Sequence, residues 1–107
     1  MTTKQLNERR AAGECIIEAT YHSGSAKEQT VRDAKTGGRR MSVVVRETFV
    51  TKGDILSMSQ WMPDGTIAST WKANVDNGKP CVIIVEAMEL NNGMKNITKG
   101  SVEALTA

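Results

Sequence analysis

Aromatic residues are scarce in this chain of 107 residues: it has two Trp, one Tyr and one Phe, or 4% of the total. Aromatic side chains usually dominate the energetics of cores and interfaces. Because this chain has only four, an extended stacking surface is excluded. Each of the four therefore has to be assigned a role. The length allows one compact domain and excludes large scaffolds such as a (β/α)₈ barrel.

Cysteine and histidine are also rare. The two cysteines, Cys15 and Cys81, lie far apart and each sits in an apolar run, which predicts buried free thiols. There is no CxxC pair and only one histidine, so a zinc-ligand set is excluded. This pattern predicts a reducing, cytoplasmic setting without a structural metal.

Long apolar runs are missing as well. No stretch approaches the ~20 residues that a membrane-spanning helix needs. The first ten residues lack the apolar segment of a signal peptide. We therefore expect a protein of the cytoplasm with no membrane partner.

Catalytic constellations are not recognisable in the sequence. The one histidine, His22, adjoins Ser23 and Ser25, but no motif places a nucleophile against a base. The pair Gly37-Gly38 precedes two arginines without the spacing or the following helix of a phosphate-binding loop. We expect a protein that is not an enzyme and uses no cofactor.

What the sequence does have is a basic centre. The formal net charge is only +2, yet residues 27–52 carry seven basic groups against three acidic ones, a net +4. Residues 1–26 sum to zero and residues 53–107 to −2. A concentrated basic segment is typical of a protein that binds a polyanion, although a solvated Lys/Arg-rich loop would give the same signal.

The chain begins with a helix signal and continues with strands. Thr2 followed by Gln5 forms a capping-box pattern, and Gly13 is placed to end the helix or arm over residues 1–13. From residue 14 to residue 107, five or six apolar segments alternate with turn signals and no long helix intervenes. This favours a small antiparallel barrel or sandwich.

The first predicted strand covers residues 14–21 and is followed by a polar loop over residues 22–28 and a short resumption at 29–32. Residues 40–50 form a long strand whose odd positions are mostly apolar, which puts Arg40 and Arg46 together on the other face. In the next strand Trp61 shares a face with Ser57 and Ser59, so a partly exposed indole is expected there.

The order of these segments resembles a known family. A basic glycine turn over residues 36–41 leads into the long strand, residues 54–63 run back, and Gly78-Lys79-Pro80 opens an apolar strand. A hairpin at Asn91-Asn92-Gly93 then leads to a last strand ending near Leu105. Over residues 14–105 this resembles the OB-fold single-stranded DNA-binding proteins of phages, most of all the filamentous-phage helix-destabilising type.

The resemblance implies a five-stranded antiparallel OB-like barrel in a viral, cytoplasmic homodimer. Such a protein coats single strands during replication without sequence preference. Basic residues contact phosphates and aromatic rings stack on unpaired bases, as expected for single-strand binding. The candidate residues are Arg32, Lys35, Arg39, Arg40, Arg46 and Lys52 for phosphates, and Trp61, Trp71 and Tyr21 for bases.

Several alternatives remain open from the residues alone. RNA could replace DNA as the ligand. Trp61 could be a core or barrel-rim residue, and Trp71 and Tyr21 could each be core residues instead of stacking residues. The protein could also be a small phage-type interaction module, an inhibitor or structural barrel, whose basic turn binds an acidic protein partner.

Overall fold

Five β-strands and one short helix make up the structure, a computed structural model that describes residues 1–106. Their order is α1 (Thr3–Ala11), β1 (Ile16–Arg32), β2 (Arg39–Thr51), β3 (Asp54–Trp61), a single 3₁₀ turn (Ala68–Thr70), β4 (Pro80–Asn91) and β5 (Met94–Ala104).

The strands close into a barrel in the order β1-β2-β3-β5-β4 and back to β1. Four of the five pairings are antiparallel. The fifth, between β3 and β5, is parallel and short, with Ser57 opposite Asn96 and Met58 opposite Ile97. The small five-stranded, OB-like all-β barrel with an N-terminal helix is thus confirmed, and a parallel contact completes its closure.

Strand β1 is longer than the sequence predicts. Residues 16–20 pair with β4, and residues 20–32 pair with β2, so one strand serves both sides of the barrel. The predicted loop over residues 22–28 is wrong, because these small polar residues continue the strand after a bulge between Tyr21 and Ser23. The bulge bends the strand. The segment is polar although it is a strand, because both of its faces are largely exposed.

Two tight turns set the strand registers. Lys52 and Gly53 have φ values of 43° and 84°, and Asn92 and Gly93 have φ values of 52° and 79°. Two consecutive positive φ angles are the signature of the type I′ turn, whose twist matches that of a hairpin. The predicted hairpin at Asn91-Asn92-Gly93 is confirmed, and the two turns fix the returns from β2 to β3 and from β4 to β5.

The main core fills the barrel with side chains from every strand. Phe49 packs edge-on against Tyr21, with ring centroids 5.4 Å apart and planes at 81°. The buried members of this cluster are Tyr21, Phe49, Leu56, Met58, Val75, Cys81, Ile83, Ile97 and Val102. Phe49 is buried in the apolar row of odd positions predicted for β2, and the consecutive residues Cys81, Val82 and Ile83 bury both faces of β4 at its start.

Helix α1 is docked on the barrel. The predicted capping box is present: the Thr2 hydroxyl accepts from the Gln5 N–H, and the Gln5 side chain accepts from the Thr2 N–H. Leu6 is fully buried against Ile16 and Val82, on the outside of β1 and β4. Leu6 is therefore the buried apolar contact between this mostly polar helix and the barrel.

Two expectations about burial are wrong. Cys15 is exposed because it precedes β1, whereas Cys81 is buried as expected. Met41, placed by alternation on the core face of β2, is 58% exposed. The β1–β2 hairpin extends beyond the barrel there, so the inward face has no core to cover it.

Candidate nucleic-acid interface

The outer face of β1, β2 and β3 brings basic and aromatic side chains together. The strand registers place Lys27, Val44 and Trp61 in one row across the three strands. The adjacent row contains Ser25, Arg46 and Ser59. Directly opposed residues have side chains on the same face, so the two rows form one continuous surface. We call it the β1–β3 outer face.

Trp61 is the aromatic residue of this face. Its side chain is 54% exposed, as predicted from the strand face that it shares with Ser57 and Ser59. Its neighbour Val44 is only 4% exposed, although it too lies on the outer face. The indole of Trp61 therefore lies beside the apolar side chain of Val44, and about half of its own surface stays exposed to solvent.

Arg40 and Arg46 lie on the same face of β2, which confirms the alternation predicted for that strand. The Arg40 guanidinium donates to the Asp64 carboxylate at 2.6 Å, and both side chains are solvent-exposed. Within residues 1–106, by contrast, no carboxylate lies within 4.0 Å of Lys27 or Arg46. These two cations are available to an external anion.

The remaining predicted cations are distributed elsewhere. Arg32 and Arg39 face each other across the hairpin, on the side opposite to Arg40. Lys35 lies in the turn between β1 and β2, where its N–H donates to the Asp33 carboxylate. Lys52 belongs to the turn at the other end of β2. The predicted basic set is thus divided between two faces of one hairpin and both of its strand ends.

Tyr21 does not belong to the interface. It is fully buried, and its hydroxyl donates to the Glu47 carboxylate at 2.6 Å. Its nomination as a stacking residue is therefore corrected: the ring lies inside the barrel against Phe49 and offers no free face to a base.

Glu47 is a buried acid that the sequence interpretation did not assign to a site. It is 7% exposed and lies on the inner face of β2. Burial raises its pKa, and the Tyr21 hydrogen bond opposes that rise. Burial and the Glu47 contact also raise the pKa of Tyr21, and burial raises that of the Cys81 thiol to about 11. The signal was present in the sequence as the single charged residue in an otherwise apolar alternating row.

Trp71 lies outside the strands, in the segment after the 3₁₀ turn. It is partly buried and reaches over β1 close to Gly24. A Cβ atom at Gly24 would come 3.0 Å from the Trp71 ring and would collide with the Tyr21 hydroxyl. Glycine is therefore needed here so that Tyr21 can reach Glu47 beneath the indole.

Lys27 is not among the residues predicted for the interface, because the sequence predicts a loop over residues 22–28. Its alternation with Ser25 and Gln29 would have revealed a strand face had the segment been recognised as paired. His22 lies at the bulge and is exposed. In the part of the chain that the structure describes, no three His, Cys, Asp or Glu residues are grouped to hold a metal ion.

Comparison with family models, with curated proteins and with solved structures gave no match to this chain. The resemblance to phage single-strand binders therefore stays a prediction. Across residues 1–106 no helix is long and apolar enough to cross a membrane.

Proposed function

We propose that this protein binds single-stranded nucleic acid, DNA in the first place, without catalysing a reaction. The observation that carries the proposal is the β1–β3 outer face, where an exposed Trp61 lies in the same row as Lys27 and beside the row of Arg46. Cations that follow the phosphates, together with an aromatic ring that stacks on an unpaired base, are the elements of single-strand binding.

The free cations support a mainly electrostatic mode of binding. Each phosphate that Lys27 or Arg46 neutralises releases condensed counterions, which gives affinity without reading sequence. The hairpin end adds Arg32, Lys35 and Arg39 as a second basic zone. With one well-exposed tryptophan on the face, phosphate contacts supply most of the affinity there. We therefore propose binding by this face that does not depend on sequence.

A titration with a mixed-sequence single-stranded 30-mer at low salt tests the proposal. We expect a complex by native mass measurement and quenching of the tryptophan emission. Trp61→Phe isolates the response of Trp71. If no complex forms at low salt with either a DNA or an RNA strand, the proposal is wrong. Tighter binding of RNA than of DNA would assign the ligand to RNA.

The second candidate is a protein-interaction module. One observation favours it: Leu90 and Met94 are exposed at the β4–β5 hairpin end, with Leu90 reaching 73%. Exposed apolar side chains mark interaction sites when they cluster. This reading predicts that the basic hairpin binds an acidic partner protein in a complex that survives nuclease treatment, with no binding of oligonucleotides.

The resemblance also implies a cytoplasmic location, a homodimer and a role in replication, and we propose these three features together with single-strand binding. Leu90 and Met94 are suitable residues for a contact between two copies. Light scattering on the wild-type protein and on Leu90→Glu tests the oligomeric state. We expect a dimer that Leu90→Glu weakens, whereas a wild-type monomer at every concentration would contradict it.

A further inference from the structure

A cavity of about 210 Å³ lies at one end of the barrel interior, where β3 and β5 separate. Their pairing ends at Met58, and beyond it the Gln60 side-chain carbonyl accepts from the Gly100 N–H at 3.3 Å. The cavity is several times the ~30 Å³ share of one water. It is smaller than the ~300 Å³ typical of pockets for drug-sized ligands. Its size suits a compact ring.

The walls combine one aromatic ring with hydrogen-bonding groups. The polar residues Glu47, Gln60, Asn74 and Ser101 line the cavity from four different parts of the chain, together with Trp71. Asn74 is held in place because its amide donates to the Val102 carbonyl at 3.1 Å. A fixed carboxylate, amides and an indole around a small space are the groups that read a heterocycle.

Glu47 is the decisive group because its position is fixed. The Tyr21 hydroxyl holds one of its oxygens at 2.6 Å, and Gly24 leaves the room for that contact. Glu47 is also one of the residues that line the cavity. A buried carboxylate accepts strongly from an N–H donor, and in nucleic-acid recognition acidic side chains accept from the amino group of cytosine.

We propose that this cavity is a base-specific pocket that takes one unpaired nucleobase bearing an exocyclic amino group. The inference rests on the proposed function and adds selectivity to it. The amino group donates to Glu47, the ring packs against Trp71, and Gln60 and Asn74 are placed near the remaining edge. Thymine has no amino group, so it leaves the carboxylate without a donor.

Strand β3 separates the pocket from the β1–β3 outer face. Gln60 and Trp61 are consecutive in β3, so their side chains lie on opposite faces of the strand. The edge of β3 beyond Met58 is free of backbone pairing with β5. Lys72 is exposed at the cavity and also lines the larger groove of about 650 Å³ beside Trp71. A strand lying across Trp61 can therefore turn one base inward while Lys72 meets its phosphate.

Free nucleosides test the pocket without requiring strand binding. The two tryptophans give two indole N–H signals in a nitrogen-15 NMR spectrum, which Trp61→Phe assigns. Adding cytidine, adenosine or guanosine to the wild-type protein should shift the Trp71 signal in a saturable way, and thymidine should not. Equal shifts with thymidine, or no shift with any nucleoside, would overturn the inference.

Exchange of the carboxylate for an amide sharpens the test. Glu47→Gln keeps the shape of the side chain but replaces one acceptor by a donor. We expect roughly tenfold weaker binding of cytidine, as for loss of a hydrogen bond to a charged group, and a gain for thymidine. Glu89→Gln, on exposed β4 surface, is the matched control and should change neither. Unchanged cytidine affinity in a folded Glu47→Gln protein would overturn the assignment of Glu47.

Oligonucleotides separate this inference from the proposed function. A dT strand with a single central dC should bind more tightly than the all-dT strand. If the two bind equally, the pocket is wrong and the proposed function stands. If nucleosides shift the Trp71 signal but no strand binds at low salt, the pocket stands and the proposed function is wrong.

Discussion

The arginines of helix α1 and Arg46 on the β1–β3 outer face have different surroundings. Around helix α1, Arg9 donates two hydrogen bonds to Glu14 at 2.7 and 2.6 Å and lies 3.6 Å from Glu103. Arg10 reaches Glu18 at 3.2 Å and also donates to the Ile16 carbonyl. On the β1–β3 outer face, Arg46 has serines as its neighbours in the row and no carboxylate partner within residues 1–106.

The difference shows that net charge does not reveal which basic side chains lack a carboxylate partner. Both regions contain basic side chains, but near the helix the chain neutralises them itself and uses them to attach the helix to the barrel. On the sheet face, small hydroxyl side chains leave the charge uncompensated. Only uncompensated cations release counterions to a polyanion at little cost.

The largest expected effect is a loss of stability at the contact between helix α1 and the barrel. Leu6→Ala removes the buried side chain that joins α1 to Ile16 and Val82. A buried Leu→Ala change typically costs about 2–5 kcal/mol. Urea unfolding should show a loss in that range, while oligonucleotide affinity of the still-folded fraction stays unchanged. A parallel fall in affinity would mean that the helix takes part in binding.

Removal of the exposed indole tests the sheet side. Trp61→Ala should weaken binding of a single strand by about 1–3 kcal/mol, the range for loss of one base–aromatic stack. Stability should change little because the side chain is half exposed. Trp61→Phe, which keeps a ring, should recover most of the affinity. Equal losses in both variants would point to a role other than stacking.

The two sides of the β1–β2 hairpin can be compared by charge reversal. Arg46→Glu acts on the face that carries Trp61, and Arg39→Glu acts on the opposite side. We expect Arg46→Glu to reduce affinity at low salt by roughly tenfold through loss of phosphate contact. Arg39→Glu, with the same change in net charge, should reduce it less. If the order is reversed, the strand follows the other side of the hairpin.

Glu47 should have a smaller effect, on how the stability of the protein changes with pH. Burial raises its pKa above 4.5, so between that value and the raised pKa the folded state holds more proton than the unfolded state. Stability should therefore fall as pH rises through that window. Thermal unfolding of wild type and Glu47→Gln from acid to neutral pH checks this, and the substitution should remove part of the fall. A wild-type decline equal to that of Glu47→Gln would contradict it.

Short-range sequence patterns predict several elements of the fold. The capping box of Thr2 and Gln5, the alternation of β2 and the Asn92-Gly93 turn are short-range signals, and the structure contains all three. Exposure of Trp61 also followed from alternation alone. These features could be predicted because each depends on neighbours within a few residues.

Long-range pairing was beyond the sequence. The segment 22–28 is polar and rich in small residues, and only its partner β2 makes it a strand. For the same reason Lys27 was not recognised as a member of the site. The burial of Tyr21 and its bond to Glu47 likewise depend on a contact between residues 26 positions apart. Composition cannot report such contacts.

Salt dependence tests the central claim most directly. Affinity for a mixed single-stranded 30-mer is measured over a series of salt concentrations for wild type, for Lys27→Gln with Arg46→Gln, and for Arg9→Gln with Arg10→Gln. Both double variants change the net charge equally. Affinity falls with salt, and each lost phosphate contact on a single strand should make the negative slope of log affinity against log salt shallower by about 0.7. We predict a slope that is shallower by about 1.4 for the sheet-face variant and an unchanged slope for the helix variant. Equal slopes in all three proteins would contradict the account.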